Sequence, residues 1–206
     1  MERKRVGIMG GTFNPIHLGH MIVAENAYES FNLDEVLFVP SGQSYMKENV
    51  LDPKTRITMT GISIEDNSHF ALSTIEVERG GNSYSYETIR DLKAQRPDTD
   101  FFFIVGADSI MNMDKWMCPE KIFTEVTVLV AVRSGYPKEA VEAKIEEFKK
   151  LYGCEIFMIP IANVDISSTN IRDRVRAGKS IRYMVHYKVV EYINKNHIYE
   201  VKEDVK

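Results

Sequence analysis

The sequence predicts an α/β fold: a Rossmann-like, doubly wound parallel sheet followed by a small C-terminal helical part. Two observations support this prediction. Short apolar runs that end at glycine or proline recur along the chain, and longer segments of helical periodicity separate them. Strands separated by helices pair in parallel through right-handed crossovers, so helices are expected on both faces of the sheet.

The predicted strands are five buried apolar runs, each bounded by a turn signal. They cover residues 6–9, 35–40, 101–105, 127–132 and 155–159. The predicted helices cover residues 17–30, 53–65, 83–94, 138–151, 169–176 and 185–194. Asp52 is the expected N-cap of the second helix, with Pro53 at its first position, and Gly153 is expected to end the fourth.

Length and composition predict one domain over residues 1–206, with a Rossmann-like core at 1–165 and C-terminal helices at 166–206. Of the residues, 44% are hydrophobic and 27% are charged, which suits a chain that buries a full core. The net charge of −4 argues against nucleic acid or an acidic membrane as a partner, although it permits a small anionic ligand.

The two cysteines, Cys118 and Cys154, lie far apart in the sequence and outside any CxxC pair. This spacing disfavours a disulfide framework or a zinc ribbon and is typical of reduced thiols. No apolar stretch approaches the roughly 20 residues that span a bilayer. These features predict a cytoplasmic protein.

A glycine turn followed by two histidines comes directly after the first predicted strand, where residues 10–20 read GGTFNPIHLGH. Ligands of a parallel sheet bind at the carboxyl ends of its strands, where a turn leads into a helix. Gly10 and Gly11 let backbone N–H groups approach an oxyanion, and Thr12 adds a hydroxyl donor. His17 and His20 are three residues apart at a helix start and therefore face the same side.

We interpret this motif as a phosphate site, although it is neither GxGxxG nor a P-loop. Two other interpretations stay open from the residues alone. His17 and His20 could ligate a metal, but no nearby cysteine or acidic pair completes such a site. They could also be ordinary surface histidines.

A second candidate anion site lies near the C-terminus, where residues 165–172 read DISSTNIR. One hydroxyl before a helix is explained by N-capping. Three consecutive hydroxyl residues, Ser167, Ser168 and Thr169, with Arg172 one turn inside the helix, also make an anion site. Free N–H groups, hydroxyls and the guanidinium would all point the same way.

The first motif resembles the signature of the adenylyl-transferring nucleotidyltransferase superfamily. In that superfamily the glycines and both histidines hold the triphosphate of ATP, and members often carry Asp where this chain has Asn14. The resemblance implies that the second motif contacts the β- and γ-phosphates. The ATP-binding residues that it implies are Gly10, Gly11, Thr12, Phe13, His17, His20, Gly106, Asp108, Ser167, Ser168, Thr169 and Arg172.

Two segments between these motifs resemble those of bacterial nicotinate-nucleotide adenylyltransferases. Residues 78–88 are similar to RxGxSYTxxT, and residues 102–108 followed by Trp116 are similar to FIxGxDxxxxxxxW. With both phosphate motifs, the resemblance runs from residue 6 to residue 172. The residues that it implies for the mononucleotide acceptor are Lys47, Tyr84, Ser85, Thr88 and Trp116.

Physical reasons accompany these assignments. An indole face at Trp116 can stack on a nicotinate ring, although a lone tryptophan is more often part of a core. Backbone N–H groups at the helix start near Tyr84 and Ser85 could receive the nicotinate carboxylate, which disfavours a nicotinamide. Asp108 could accept from a ribose hydroxyl or serve as an N-cap.

The chain departs from this family in one loop. The family usually carries PPHK after the second strand, whereas residues 41–47 read SGQSYMK. Lys47 matches the lysine of that segment and could bind the phosphate of the mononucleotide, or it could be a solvated loop lysine. Met46 occupies the position of the usual histidine.

The reaction that the resemblance implies is adenylyl transfer from ATP to nicotinate mononucleotide, giving deamido-NAD and pyrophosphate. His17, His20 and Arg172 are the expected catalytic groups, Mg²⁺ accompanies ATP, and no protein side chain is expected to ligate a metal. A homo-oligomer is possible. The alternatives are nicotinamide mononucleotide or phosphopantetheine as acceptor, or a nucleotide sensor without turnover.

Overall fold

A computed structural model describes residues 3–43, 50–132, 135–161 and 164–200. Its centre is a six-stranded, all-parallel sheet in the order β3-β2-β1-β4-β5-β6. The strands are β1 (Lys4–Gly11), β2 (Glu35–Pro40), β3 (Phe70–Leu72), β4 (Thr99–Gly106), β5 (Thr127–Ala131) and β6 (Ile156–Ile159). This arrangement confirms the predicted α/β fold.

Helices connect the strands and close the chain. They are α1 (Leu18–Ser30), α2 (Pro53–Ile64), α3 (Ile75–Arg79), α4 (Ser85–Gln95), α5 (Ala107–Ile110), α6 (Pro119–Glu125), α7 (Lys138–Tyr152), α8 (Ser168–Arg176) and α9 (Tyr187–Lys195). A 3₁₀ turn covers Met113–Lys115. Within the described ranges, no helix is both long and apolar enough to cross a membrane.

Local signals set several of these boundaries. The Asp52 side chain caps α2 by accepting from the Thr55 N–H at 3.0 Å, as predicted. Gly153 ends α7 in the left-handed region, with φ of 62°. Ser167 caps α8 by accepting from the Asn170 N–H at 3.2 Å.

The structure departs from the predicted elements in three ways. β3, α3, α5 and α6 were not predicted, because segments of three to seven residues are too short to show a period. The glycines 10–11, predicted as a turn, continue β1 and pair with β2. α4 begins at Ser85 rather than Ser83, because Ser83 is hydrogen-bonded to the loop after β2.

The core consists of two apolar layers, one on each face of the sheet. One layer combines α1, α2, α8 and α9 with strand residues such as Met9 and Phe38. The other combines α3 to α7 with alternate strand residues such as Ile8 and Phe103. Because α8 and α9 share a layer with α1, the C-terminal helices are fixed beside the first motif. The single-domain boundaries stay a prediction.

Candidate active site

A crevice opens in the middle of the sheet, at the carboxyl end of β1. β1 pairs with β2 as far as Gly11↔Pro40, but its pairing with β4 runs only to Met9↔Ile104. β4 instead continues beside β5 to Gly106↔Ala131. The strand order reverses between β1 and β4, and open α/β sheets bind ligands at such a switch point. Gly10, although in a central strand, is therefore exposed.

The glycines keep this crevice open in different ways. A Cβ on Gly11 would lie 2.9 Å from the ring of Phe13, which is buried. A Cβ on Gly10 would meet Phe103 at an ordinary 3.8 Å. Gly11 is thus required for packing of the turn, whereas Gly10 leaves the mouth of the crevice free of a side chain. Thr12, half-buried, follows directly in the same turn.

The first motif brings its two histidines together at the start of α1. His17 is the buried N-cap of α1, and His20 lies in the first turn of this helix. Their rings stack with centroids 3.7 Å apart, and the Phe13 ring packs edge-on against His20 at 5.1 Å. The two histidines therefore face the same side, as predicted, and the His20 ring packs between the rings of His17 and Phe13.

A hydrogen bond fixes the proton of the His20 ring. The His17 backbone N–H donates to His20 Nδ1 at 3.2 Å, so Nδ1 is an acceptor. In the neutral ring the proton consequently lies on Nε2, which can donate to an oxyanion. This assignment follows from the heavy-atom contact and gives His20 the polarity that a phosphoryl oxygen requires.

The second motif is hydrogen-bonded directly to the first. The Ser168 hydroxyl donates to the Pro15 carbonyl at 2.8 Å. Arg172 donates to the Asn14 carbonyl at 2.8 Å and to the Thr169 hydroxyl at 3.1 Å. A guanidinium has five N–H donors, and these two bonds fix its position. The two segments, more than 150 residues apart in sequence, thus form one site.

This contact also explains the three hydroxyls of the second motif. Ser167 caps α8, Ser168 ties α8 to the first motif, and Thr169 holds Arg172. From the sequence, N-capping explains one of these hydroxyls, and the other two are predicted to bind an anion. In the structure, each of the three has a position set by the protein itself.

Arg56 of α2 joins the loops that follow β1 and β2. Its side chain is only 1% exposed, and its guanidinium donates to four backbone carbonyls. The acceptors are Leu51 at 2.9 Å, Thr12 at 2.7 Å, Ser41 at 2.7 Å and Gly42 at 2.9 Å. Burial lowers the pKa of Arg56, and the carbonyl dipoles compensate the buried charge.

Gly42 is packed too tightly to carry a side chain. A Cβ there would lie 2.7 Å from the carbonyl oxygen of Glu76. The Gly42 N–H donates to the Ser83 hydroxyl at 2.9 Å, and the Ser83 N–H donates to the Gln43 carbonyl at 3.1 Å. The loop after β2 is thereby attached to the segment that leads into α4.

Three of the predicted acceptor residues, Tyr84, Ser85 and Trp116, belong to segments that pack on the opposite face of the sheet from the first motif. Tyr84 is the N-cap of α4 and Ser85 its first residue, so both stand at the positive end of this helix. Trp116 follows the 3₁₀ turn and packs edge-on against Phe103, with centroids 6.4 Å apart. Trp116 is half-buried, so part of its indole stays accessible.

Thr88 is placed differently from these residues. It is buried, and its hydroxyl donates to the Glu76 carboxylate at 2.7 Å and accepts from Arg79 at 3.2 Å. Thr88 is therefore a buried residue of α4 whose hydroxyl is hydrogen-bonded to two side chains of α3.

Two further predicted residues lie at the end of β4. Gly106 is the last residue of β4 and the N-cap of α5, and Asp108 is exposed in the first turn of α5. Lys47 lies outside the described residues. Over the described ranges, no three His, Cys, Asp or Glu side chains come close enough together to hold a metal ion.

Sequence reasoning missed Arg56, the buried residue that connects the two loops. In the structure Arg56 lies on the buried face of α2 with Met59, Thr60 and Ser63. Because Thr60 and Ser63 are polar, the spacing of these residues gives no sequence signal that Arg56 is buried.

A switch-point crevice flanked by histidines, a helix-borne arginine and glycines defines a nucleotide-phosphate-binding α/β protein. Comparison with known proteins agrees: the cytidylyltransferase-like family model matches residues 8–174. A probable nicotinate-nucleotide adenylyltransferase of Lachnoclostridium phytofermentans is 37% identical over 198 residues, covering 95% of this chain and 99% of that protein. The chain therefore belongs to the cytidylyltransferase-like family of nucleotidyltransferases and, within it, to the nicotinate-nucleotide adenylyltransferases.

Other comparisons agree with this assignment. A probable nicotinate-nucleotide adenylyltransferase of Clostridium beijerinckii is 39% identical over 202 residues, covering 95% of this chain and 99% of that protein. The fold is similar to that of the Plasmodium falciparum nicotinic acid mononucleotide adenylyltransferase complexed with NaAD. The TM-score is 0.80 at 22% identity, over 95% of this chain and 97% of that one.

Replacing Arg56 tests its structural importance. We expect Arg56→Met to lower the free energy of unfolding by about 3 kcal/mol or more, because several buried carbonyls lose their donor at about 1–3 kcal/mol each. Arg56→Lys should recover little, since one ammonium cannot reach all four acceptors. Urea denaturation measures both variants.

The matched control is Arg90→Met, which removes an exposed arginine that pairs with Asp91. The stability of this control should scarcely change. An Arg56→Met protein as stable as the wild type would show that the four carbonyl contacts contribute nothing.

Proposed function

We propose that the protein transfers the adenylyl group of ATP to nicotinate mononucleotide, which yields deamido-NAD and pyrophosphate in NAD biosynthesis. The observation that carries this proposal is the contact between the two phosphate motifs. In α8, the Ser168 hydroxyl donates to the Pro15 carbonyl and the Arg172 guanidinium donates to the Asn14 carbonyl. Arg172 therefore lies beside the first motif, which carries both histidines. The names of the curated relatives support nicotinate mononucleotide as the acceptor.

The chemistry requires alignment and charge stabilisation. An oxygen of the acceptor's 5′-phosphate, already anionic, attacks the α-phosphorus of ATP in line. The bond from the α-phosphorus to the oxygen that bridges to the β-phosphorus breaks, and pyrophosphate leaves with that electron pair. No general base is needed. His20, with its proton on Nε2, would donate to a phosphoryl oxygen, and Arg172 would stabilise the leaving pyrophosphate.

Mg²⁺ would enter with ATP as part of this substrate. Phosphate oxygens are the hard ligands that Mg²⁺ prefers, and it usually keeps several waters in such sites. The residues of this chain would then act on the phosphates, while the ion neutralises part of their charge.

The acceptor would lie on the other side of the crevice, between α4 and Trp116. The N–H groups at the start of α4, after the N-cap Tyr84, favour a carboxylate over an amide. The accessible part of the indole offers a face for the pyridine ring. We further propose that Lys47 binds the mononucleotide phosphate, that a homo-oligomer is possible and that the protein acts in the cytoplasm.

Pyrophosphate release with each mononucleotide tests the proposal. With ATP and Mg²⁺, we expect nicotinate mononucleotide to exceed nicotinamide mononucleotide by about tenfold or more in kcat/KM, because an amide leaves donors unpaired. Equal rates with the two mononucleotides would contradict the preference for nicotinate but would still agree with adenylyl transfer. No release with either acceptor would contradict the proposed function, and phosphopantetheine would be tested next.

Replacement of His20 separates transition-state stabilisation from binding. We expect His20→Ala to lower kcat by about 10²–10³-fold, as for other preorganised donors to a developing charge. Steady-state kinetics with both substrates measure this effect. Lys138→Ala, at the exposed first residue of α7, is the control and should keep wild-type rates. A rise only in the KM for ATP would contradict the role of His20.

A further inference from the structure

Tyr199, beyond the end of α9, contacts the first motif (residues 10–20), which lies near the other end of the sequence. Its hydroxyl donates to the side-chain oxygen of Asn14 at 2.8 Å. Asn14 is only 6% exposed, so this bond is made in the interior of the site. The sequence motifs include neither Tyr199 nor any residue near it.

The same asparagine is held at a second point. The Asn14 carbonyl accepts from Arg172 at 2.8 Å, while its side chain accepts from Tyr199. The two bonds fix both the backbone and the side chain of the residue that precedes Pro15. The orientation of Arg172, the proposed ligand of the leaving pyrophosphate, thus depends on a residue that Tyr199 holds in place.

The surroundings of Tyr199 keep its hydroxyl protonated, so that it remains a hydrogen-bond donor. Burial raises the pKa of Tyr199 despite the nearby guanidinium groups of Arg172, Arg56 and Arg176, so its hydroxyl stays protonated. Tyr199 adopts φ of 68°, a left-handed conformation that is unfavourable for a residue with a side chain. The preceding Ile198 is buried and donates its N–H to the Ile193 carbonyl at 3.0 Å, which fixes the chain at this position.

We propose that Tyr199 is a positioning residue for adenylyl transfer, which acts through Asn14 to align Arg172 with the leaving group. This inference rests on the proposed function. It gives the segment after α9 a part in the reaction, because Tyr199 binds the first motif through the Asn14 side chain. Tyr199 itself need not touch a substrate.

Tyr199→Phe keeps the packed ring and removes only the donor. In steady-state assays with ATP and nicotinate mononucleotide, we expect kcat to fall about tenfold, with both KM values within about twofold of the wild type. The melting temperature should fall by only a few degrees, because the buried Asn14 oxygen loses its donor while the packing of the ring is kept. Tyr183→Phe is the matched control, because Tyr183 is 87% exposed, and it should keep wild-type kinetics.

A double-mutant cycle with Asn14→Ala tests whether Tyr199 acts through Asn14. We expect Asn14→Ala to lower kcat at least as much as Tyr199→Phe, and the double variant to be no slower than Asn14→Ala alone. An unchanged kcat in Tyr199→Phe, or single effects that multiply in the double variant, would overturn the proposal.

Two further outcomes are also decisive. If Tyr199→Phe does not fold, the proposal is tested with Asn14→Ala alone, because this variant removes the acceptor and leaves the tyrosine. A wild-type kcat in Asn14→Ala overturns the proposal, and a tenfold loss of kcat supports it. Failure of the proposed function is recognised separately, since the wild-type protein would then release no pyrophosphate with nicotinate mononucleotide.

Discussion

The buried guanidinium of Arg56 is the interaction on which the site depends. It donates to carbonyls of the turn after β1 and of the loop after β2, and so connects the segments that flank the crevice. A buried cation is tolerated only when its donors are satisfied, and four carbonyls provide that here. Because Gly42 also lies against the Glu76 carbonyl, the loop after β2 contacts helices on both faces of the sheet, α2 on one and α3 on the other.

The site is assembled from two layers that meet at the switch point. α1 and α8, in one layer, carry the histidines and Arg172, and α4 and Trp116, in the other, provide the groups proposed for the acceptor. Such an arrangement suits the proposed reaction between two nucleotides, because attack in line needs nucleophile and leaving group on opposite sides of the α-phosphorus.

The fold class and the placement of both histidines at the start of α1 could be predicted because their signals are local. Apolar runs ending at glycine or proline mark strands, and the GGTFNPIHLGH motif places both histidines on one side of α1. The contacts that assemble the site could not be predicted in this way. Ser168 meets Pro15, and Tyr199 meets Asn14, across more than 150 residues, and the burial of Arg56 and Thr88 depends on tertiary packing. β3 was too short to show a period.

The proposed site is best tested by a crystal structure with a non-hydrolysable ATP analogue and nicotinate mononucleotide. We expect the triphosphate in the crevice between β1 and β4, within hydrogen-bond distance of His20 Nε2 and the Arg172 guanidinium. We expect the nicotinate carboxylate at the N-terminus of α4, with its ring against Trp116. A triphosphate bound away from these two side chains, or an acceptor on the same side of the sheet as α1, would show that the proposed site is wrong.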